Sequence, residues 1–205
     1  MRSKTNKNTL ISNLLVFVVG RSGSGKDTLM RNIADTLSLE DIPVNILQRN
    51  ITRPPDKTEE SLYISEEEFF KRKSQNVYAL SWFVYKNWYG CPRIPLEKGL
   101  RTGAIVLVNV SRSILHEARE KYPQSKIVLI KVKDEIAEKR LKERGREESD
   151  HLVDRLTRMH TTIDMPPPDK IVENEGDLDK AIYELSDYLR KIYNDSKKQS
   201  EKDSD

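Results

Sequence analysis

A run of six apolar residues, Leu14-Leu15-Val16-Phe17-Val18-Val19, passes directly into Gly20-Arg21-Ser22-Gly23-Ser24-Gly25-Lys26-Asp27-Thr28. The run is rich in β-branched side chains and reads as a strand buried on both faces. Beyond the loop, Leu29, Ile33 and Leu37 recur at helical spacing. Strand, glycine loop and helix form the context in which a G-x-x-x-x-G-K pattern becomes a phosphate cradle. Glycines let several backbone N–H groups converge on one anion, and the helix N-terminus adds partial positive charge. Lys26 supplies a mobile point charge for the outer phosphates. The other reading of such a loop is a glycine-rich turn without a ligand. One position departs from the usual pattern. Where Ser or Thr normally offers a hydroxyl to Mg²⁺, this chain carries Asp27, followed by Thr28. Asp27 reads either as a magnesium-side carboxylate or as a residue that only complements the helix dipole.

The rest of the chain repeats the alternation of strand and helix. Strands are expected at 44–51, 104–110, 127–132 and 170–174, and helices at 114–121, 135–143, 150–160 and 178–193. That order predicts an α/β fold, a parallel sheet with helices on both faces. The stretch 53–95 breaks the alternation. Ser65-Glu66-Glu67-Glu68 is a capping box opening a short helix. Residues 78–90 read as a β-hairpin with a Lys86-Asn87 turn, and a short helix is expected over 96–101. This stretch is therefore a candidate inserted subdomain within one domain spanning 14–193. Residues 1–13 read as a basic arm, and 194–205, without an apolar side chain to bury, as a disordered tail.

Composition narrows the function. The 36 basic residues are interleaved with 33 acidic ones for a net charge of +3, which argues against a nucleic-acid partner. The apolar run at 14–19 is too short for a signal peptide or membrane span, so no membrane partner is expected. A single cysteine, Cys91, excludes an intrachain disulfide and fits a reducing cytoplasm, and the three histidines show no metal spacing. A homodimer is left open.

Ligands of such sheets sit beyond the C-terminal ends of the strands. Gly20, Arg53, Asn109 and Ser111 fall at or just after expected strand ends. Arg53 can meet an anionic acceptor, with Lys86, Arg93 and Arg112 as further cations. Arg140, Arg144 and Arg146 surround Gly145, a cluster suited to closing over a transferring phosphoryl as a lid at 140–150. Each has an ordinary alternative: Arg140 as a surface arginine paired with Glu143 or Glu147, Ser111 as a helix cap, Arg112 as a solvated residue, Glu59 as a loop charge. Trp82, Trp88 and Tyr89 read as subdomain core rather than a base-stacking platform.

Six segments occur in a telling order: Gly-Arg-Ser-Gly-Ser-Gly-Lys-Asp-Thr at 20–28, Ile-Thr-Arg-Pro at 51–54, Ala-Leu-Ser-Trp at 79–82, Tyr-Gly at 89–90, Leu-Val-Asn-Val-Ser-Arg at 107–112 and Arg-Gly-Arg-Glu at 144–147. Together they resemble the ribose 1,5-bisphosphate phosphokinases, relatives of the guanylate kinases. The resemblance implies a three-layer P-loop kinase fold and ATP-dependent, Mg²⁺-assisted phosphorylation of a sugar phosphate. It assigns the donor to residues 20–28 and catalysis to Lys26, Arg140, Arg144 and Arg146. The acceptor side falls to Arg53, Glu59, Ser81, Tyr89, Asn109, Ser111 and Arg112. Two departures touch the acceptor side: Glu59-Glu60-Ser61 stands where the family has Glu-Asn-His, and Val110 stands where it has Gly. A nucleoside monophosphate kinase acting on GMP and a silent interaction module remain the alternatives. The resemblance also implies an account of Asp27. Guanylate kinases carry an acidic residue at the strand end matching Asn109, so the negative charge of the magnesium site has moved here from strand to loop.

Overall fold

In the computed structural model, residues 13–54, 61–143 and 163–202 are described. The expected basic arm, apart from Asn13, and the expected helix at 150–160 lie outside them.

β1 (Leu15–Val19) is buried at every position, as an apolar strand covered on both faces must be. It pairs in parallel with β7 (Ile105–Asn109) on one side and β8 (Lys126–Lys131) on the other. β2 (Val44–Ile46) and β9 (Lys170–Glu173) complete a five-stranded sheet of order β2-β7-β1-β8-β9. Every pairing in it is parallel. The loop after β1 leads into α1 (Lys26–Ser38), which buries Leu29, Met30, Ile33 and Leu37 and packs against the long α6 (Leu178–Lys202). The fold is the expected α/β one, with the phosphate loop at the centre of the sheet.

The expected strand 44–51 is two strands. Leu47 still donates its N–H to Leu107 O at 2.9 Å, after which the chain leaves the main sheet at Gln48. β3 (Arg49–Ile51) then joins a second sheet of order β4-β3-β6-β5, with β4 at Ser61–Tyr63, β5 at Tyr78–Val84 and β6 at Asn87–Pro92. Residues 44–46 and 49–51 are both extended and lie close together in sequence, so the letters alone do not reveal a change of partner.

α2 (Glu66–Ser74) covers one face of this smaller sheet. Its expected cap is present, with Ser65 Oγ accepting from Glu68 N–H at 3.2 Å. Phe69 of α2 stacks on Tyr78 at 4.8 Å and lies 5.7 Å from Trp88. The hairpin turns at Tyr85-Lys86 rather than Lys86-Asn87. Both turn residues have positive φ, 49° and 57°, the twist that matches flanking strands in a two-residue turn. Gly90 lies so close to Tyr78 that an added Cβ would sit 2.6 Å from two ring carbons. Gly90→Ala is therefore expected to lower stability by about 1–3 kcal/mol, read as a lower urea midpoint with unchanged slope.

α3 (Arg93–Arg101) begins three residues before the expected start at 96. Pro95 falls in its first turn, where the missing N–H costs no helical bond. A 3₁₀ turn (Arg112–Ile114) and α4 (Leu115–Lys121) follow β7, and α5 (Asp134–Glu143) follows β8. α6 runs to Lys202, so 194–202 are helical and not a disordered tail. Ser196 is buried and its hydroxyl donates to Asn13 Oδ1 at 3.4 Å, while Lys197 lies 4.7 Å over the Tyr193 ring. A nucleated helix extends through Lys, Gln and Glu at little cost, without apolar burial. No helix among the described residues is long and apolar enough to cross a membrane.

Candidate active site

The loop between β1 and α1 closes around its own lysine. Lys26 Nζ donates to Gly20 O at 2.9 Å, Arg21 O at 3.0 Å and Ser24 Oγ at 3.3 Å. Gly25 is the residue before α1 and adopts φ 81°, which glycine reaches without strain. Gly23 has φ 78°, and a Cβ on it would stand 2.6 Å from Ala137 O of α5. The base of α5 thus rests directly on the loop. Arg21 forms an ion pair with Asp134 at the first residue of that helix. Ser22 and Thr28 are half-buried along the same loop and first helical turn, and Thr28 O accepts from Asn32 Nδ2 at 2.8 Å.

Asp27 and Asn109 meet although they are 82 residues apart. Asn109 Nδ2, at the end of β7, donates to Asp27 Oδ1 at 2.8 Å. Asn109 is 8% exposed, so its amide is held in a largely dry setting where this bond matters. One carboxylate oxygen of Asp27 is engaged and the other remains for a second partner. Asp27 also lies in the first turn of α1, where a negative charge suits the dipole.

Beside the loop, a cleft of about 610 Å³ is lined by Arg21, Arg112, Lys131, Lys133, Asp134 and Glu175 among others. Lys133 pairs with Glu175 at 2.8 Å, and that hydrogen bond raises the lysine's pKa. A smaller adjoining cleft of about 370 Å³ is lined by Arg140, Lys139, Ile136, Glu135 and Glu175. Arg140 Nη1 donates to the main-chain oxygen of Asn174 at 3.0 Å. Arg144, Arg146 and Glu59 lie outside the described residues.

The residues expected on the acceptor side fall in several places. Arg53, just past β3, donates from Nη1 to Pro54 O at 3.0 Å. Tyr89 is buried and stacks on Trp82, with centroids 5.5 Å apart and planes at 5°. Ser81 pairs in register with Gly90, one residue on from the Trp82–Tyr89 pair, so it faces the opposite side of the sheet. Ser111 caps the 3₁₀ turn through its hydroxyl, which accepts from Ser113 N–H at 3.4 Å. Arg112 lines the loop-side cleft. Lys86 is at the hairpin tip. Arg93 donates to Tyr78 O at 3.1 Å and pairs weakly with Glu97 at 3.9 Å, a role in holding β5 to α3. Cys91 is fully buried, and burial pushes its thiol up to about 12, so it is no nucleophile.

A family model described as Guanylate kinase matches residues 12–192, which spans the main sheet, the small sheet and α5. The chain belongs to the guanylate kinase family. It is an ATP-dependent kinase. Relatives include the ribose 1,5-bisphosphate phosphokinase PhnN of Achromobacter xylosoxidans, 34% identical over 86% of this chain and 92% of that protein. That of Desulfomicrobium baculatum is 37% identical over 80% of this chain and 87% of its own length. Among solved structures, guanylate kinase from Anaplasma phagocytophilum superposes with a TM-score of 0.59 at 20% identity, covering 86% of this chain and 84% of that one. At that identity the likeness concerns the fold.

The kinase also holds residues near the site that the motifs did not single out. Arg49 is 5% exposed; its guanidinium lies 5.6 Å from the Tyr89 ring centre and donates to Ser61 Oγ at 3.3 Å. Ser61 is one of the positions that departs from the phosphokinase pattern. Its neighbour Asn50, also buried, accepts from Arg72 Nη1 at 3.3 Å on the α2 side. Asn174, at the end of β9, is 3% exposed and bonds to the loop. In sequence, a charged or amide residue within or just after a strand was the available signal for all three.

Proposed function

We propose that this kinase transfers the γ-phosphoryl group of ATP to ribose 1,5-bisphosphate, giving 5-phospho-α-D-ribose 1-diphosphate and ADP. The observation that carries the acceptor is the 34% identity spanning 92% of a ribose 1,5-bisphosphate phosphokinase. In the reaction an oxygen of the acceptor's 1-phosphate bonds to the γ-phosphorus while the bond from γ-phosphorus to the ADP oxygen breaks. Such transfers need positioning and charge neutralisation more than covalent participation by the protein.

The chain's own groups suit those tasks. The loop N–H groups and the α1 N-terminus receive the donor phosphates, and Lys26 leaves Gly20 O and Arg21 O to meet their outer oxygens. Arg140, Arg144 and Arg146 neutralise charge on the transferring group. Arg53 and the Arg49–Tyr89 face of the small sheet receive the acceptor, with Asn109, Ser111 and Arg112 at the adjoining strand end. The donor set also fits Mg²⁺. Among the described residues no group of three or more His, Cys, Asp or Glu is placed to hold a metal ion, and Asp27 offers a single carboxylate with one oxygen unengaged. A hard cation that takes one carboxylate, phosphate oxygens and water matches that supply, and when bound it draws charge from the phosphate oxygens.

The experiment is direct. The protein is incubated with ATP and Mg²⁺ and, separately, ribose 1,5-bisphosphate, ribose 5-phosphate, GMP and dGMP, and products are identified by mass. Turnover of ribose 1,5-bisphosphate is expected. Product from GMP alone overturns the reading in favour of a nucleoside monophosphate kinase, which the family match supports.

A further inference from the structure

The phosphate loop is braced from the far side of the sheet by Asn174. Its Nδ2 donates to Ser24 O at 2.8 Å, across 150 residues of sequence. The approach is tight enough that a Cβ on Gly25 would stand 2.5 Å from that nitrogen. Asn174 is itself immobilised, because its N–H donates to Lys131 O at 2.9 Å and its main-chain oxygen accepts from Arg140. β8, β9 and α5 therefore converge on one buried amide.

The consequence follows from peptide geometry. Ser24 C=O and Gly25 N–H belong to one planar trans unit, so they point in opposite directions. With the carbonyl held toward Asn174, the Gly25 N–H is turned away from it. Gly23 and Gly25 both have positive φ, and glycine on either side permits the intervening residues to reorient. A reversed 24–25 unit would aim a carbonyl oxygen at a bound phosphate in place of an N–H.

We propose that Asn174 is a positioning residue for the donor phosphates, fixing the 24–25 peptide so that its N–H faces the anion. This rests on the ATP-site reading above. Arg140 is held by the main-chain oxygen of Asn174, so changing the side chain tests the loop and leaves that contact formed.

The test compares wild type with Asn174→Ala and with the near-isosteric Asn174→Asp, which lacks the donor. Affinities for tripolyphosphate and ATP are measured by calorimetry, alongside KM for both substrates and thermal midpoints. Both variants are expected to bind tripolyphosphate about tenfold more weakly or worse and to raise KM for ATP similarly, with KM for the acceptor unchanged. A purely structural role would shift both KM values or only the midpoint. In wild type, where folding is not at issue, the Gly25 amide resonance is expected to shift strongly as tripolyphosphate is added. Equal tripolyphosphate affinity across the three proteins overturns the proposal, as does a Gly25 amide indifferent to the anion. If wild type binds neither ATP nor tripolyphosphate, the ATP-site reading is what fails, and the brace falls with it.

Discussion

Lys26→Ala is expected to lower kcat by about 10²–10³-fold while moving the thermal midpoint little. The lysine's contacts with Gly20 O, Arg21 O and Ser24 Oγ all lie within its own loop, so their loss loosens that loop rather than the core. On the proposed function, what the substitution removes is a positive charge that neutralises phosphate oxygens as charge shifts toward the leaving group. Lys26→Arg is expected to recover little, since a planar guanidinium does not fit a cradle that grips a compact ammonium. The readouts are steady-state product formation and a circular-dichroism melt. Turnover within fivefold of wild type would remove the loop from the reaction.

The second large effect concerns the Asp27–Asn109 pair. Asp27→Thr is expected to cripple Mg²⁺-dependent turnover by about a hundredfold, because on the proposed function it deletes the carboxylate offered to the magnesium. Adding Asn109→Asp should restore part of the loss, by placing a negative charge at the strand end instead. Asn109→Asp alone should behave differently. With Asp27 present, it sets two carboxylates where a 2.8 Å hydrogen bond now stands, so both stability and turnover should fall. The interaction energy of this cycle, with Mg²⁺ titrated in each variant, is the measurement. Normal activity of Asp27→Thr would refute the account of displaced charge.

How much of this was legible in the sequence depends on the range of the forces involved. The helix α2 begins at Ser65 because a hydroxyl and an N–H three residues on satisfy one another, a local event visible in the letters. The hairpin between β5 and β6 was legible for its aromatic content, but its turn was misplaced by one residue. No glycine marks the positive φ at Tyr85 and Lys86. The helix at 194–202 is hidden for a related reason: its letters offer little apolar burial, whereas helix propagation needs only a preceding turn. Arg93 and Arg112 looked alike as cations. One is spent on Tyr78 O and the other stands in the cleft beside the loop, and charge alone does not separate them.

By itself the sequence determined the strand, the glycine loop with Lys26 and the helix that follows, since those depend on neighbours a few residues apart. It likewise determined a parallel sheet with a buried centre, because the continuous apolar strands β1 and β7 have no exposed face to offer. Only the tertiary structure decided that residues 49–51 leave that sheet for another, and that Asn109 meets Asp27. It alone brought Asn174 against Ser24. Those outcomes depend on which strands become neighbours, order β2-β7-β1-β8-β9, a choice made by the packing of the whole chain. A side-chain pattern of period two reports which face is buried and says nothing about the partner across the hydrogen bonds.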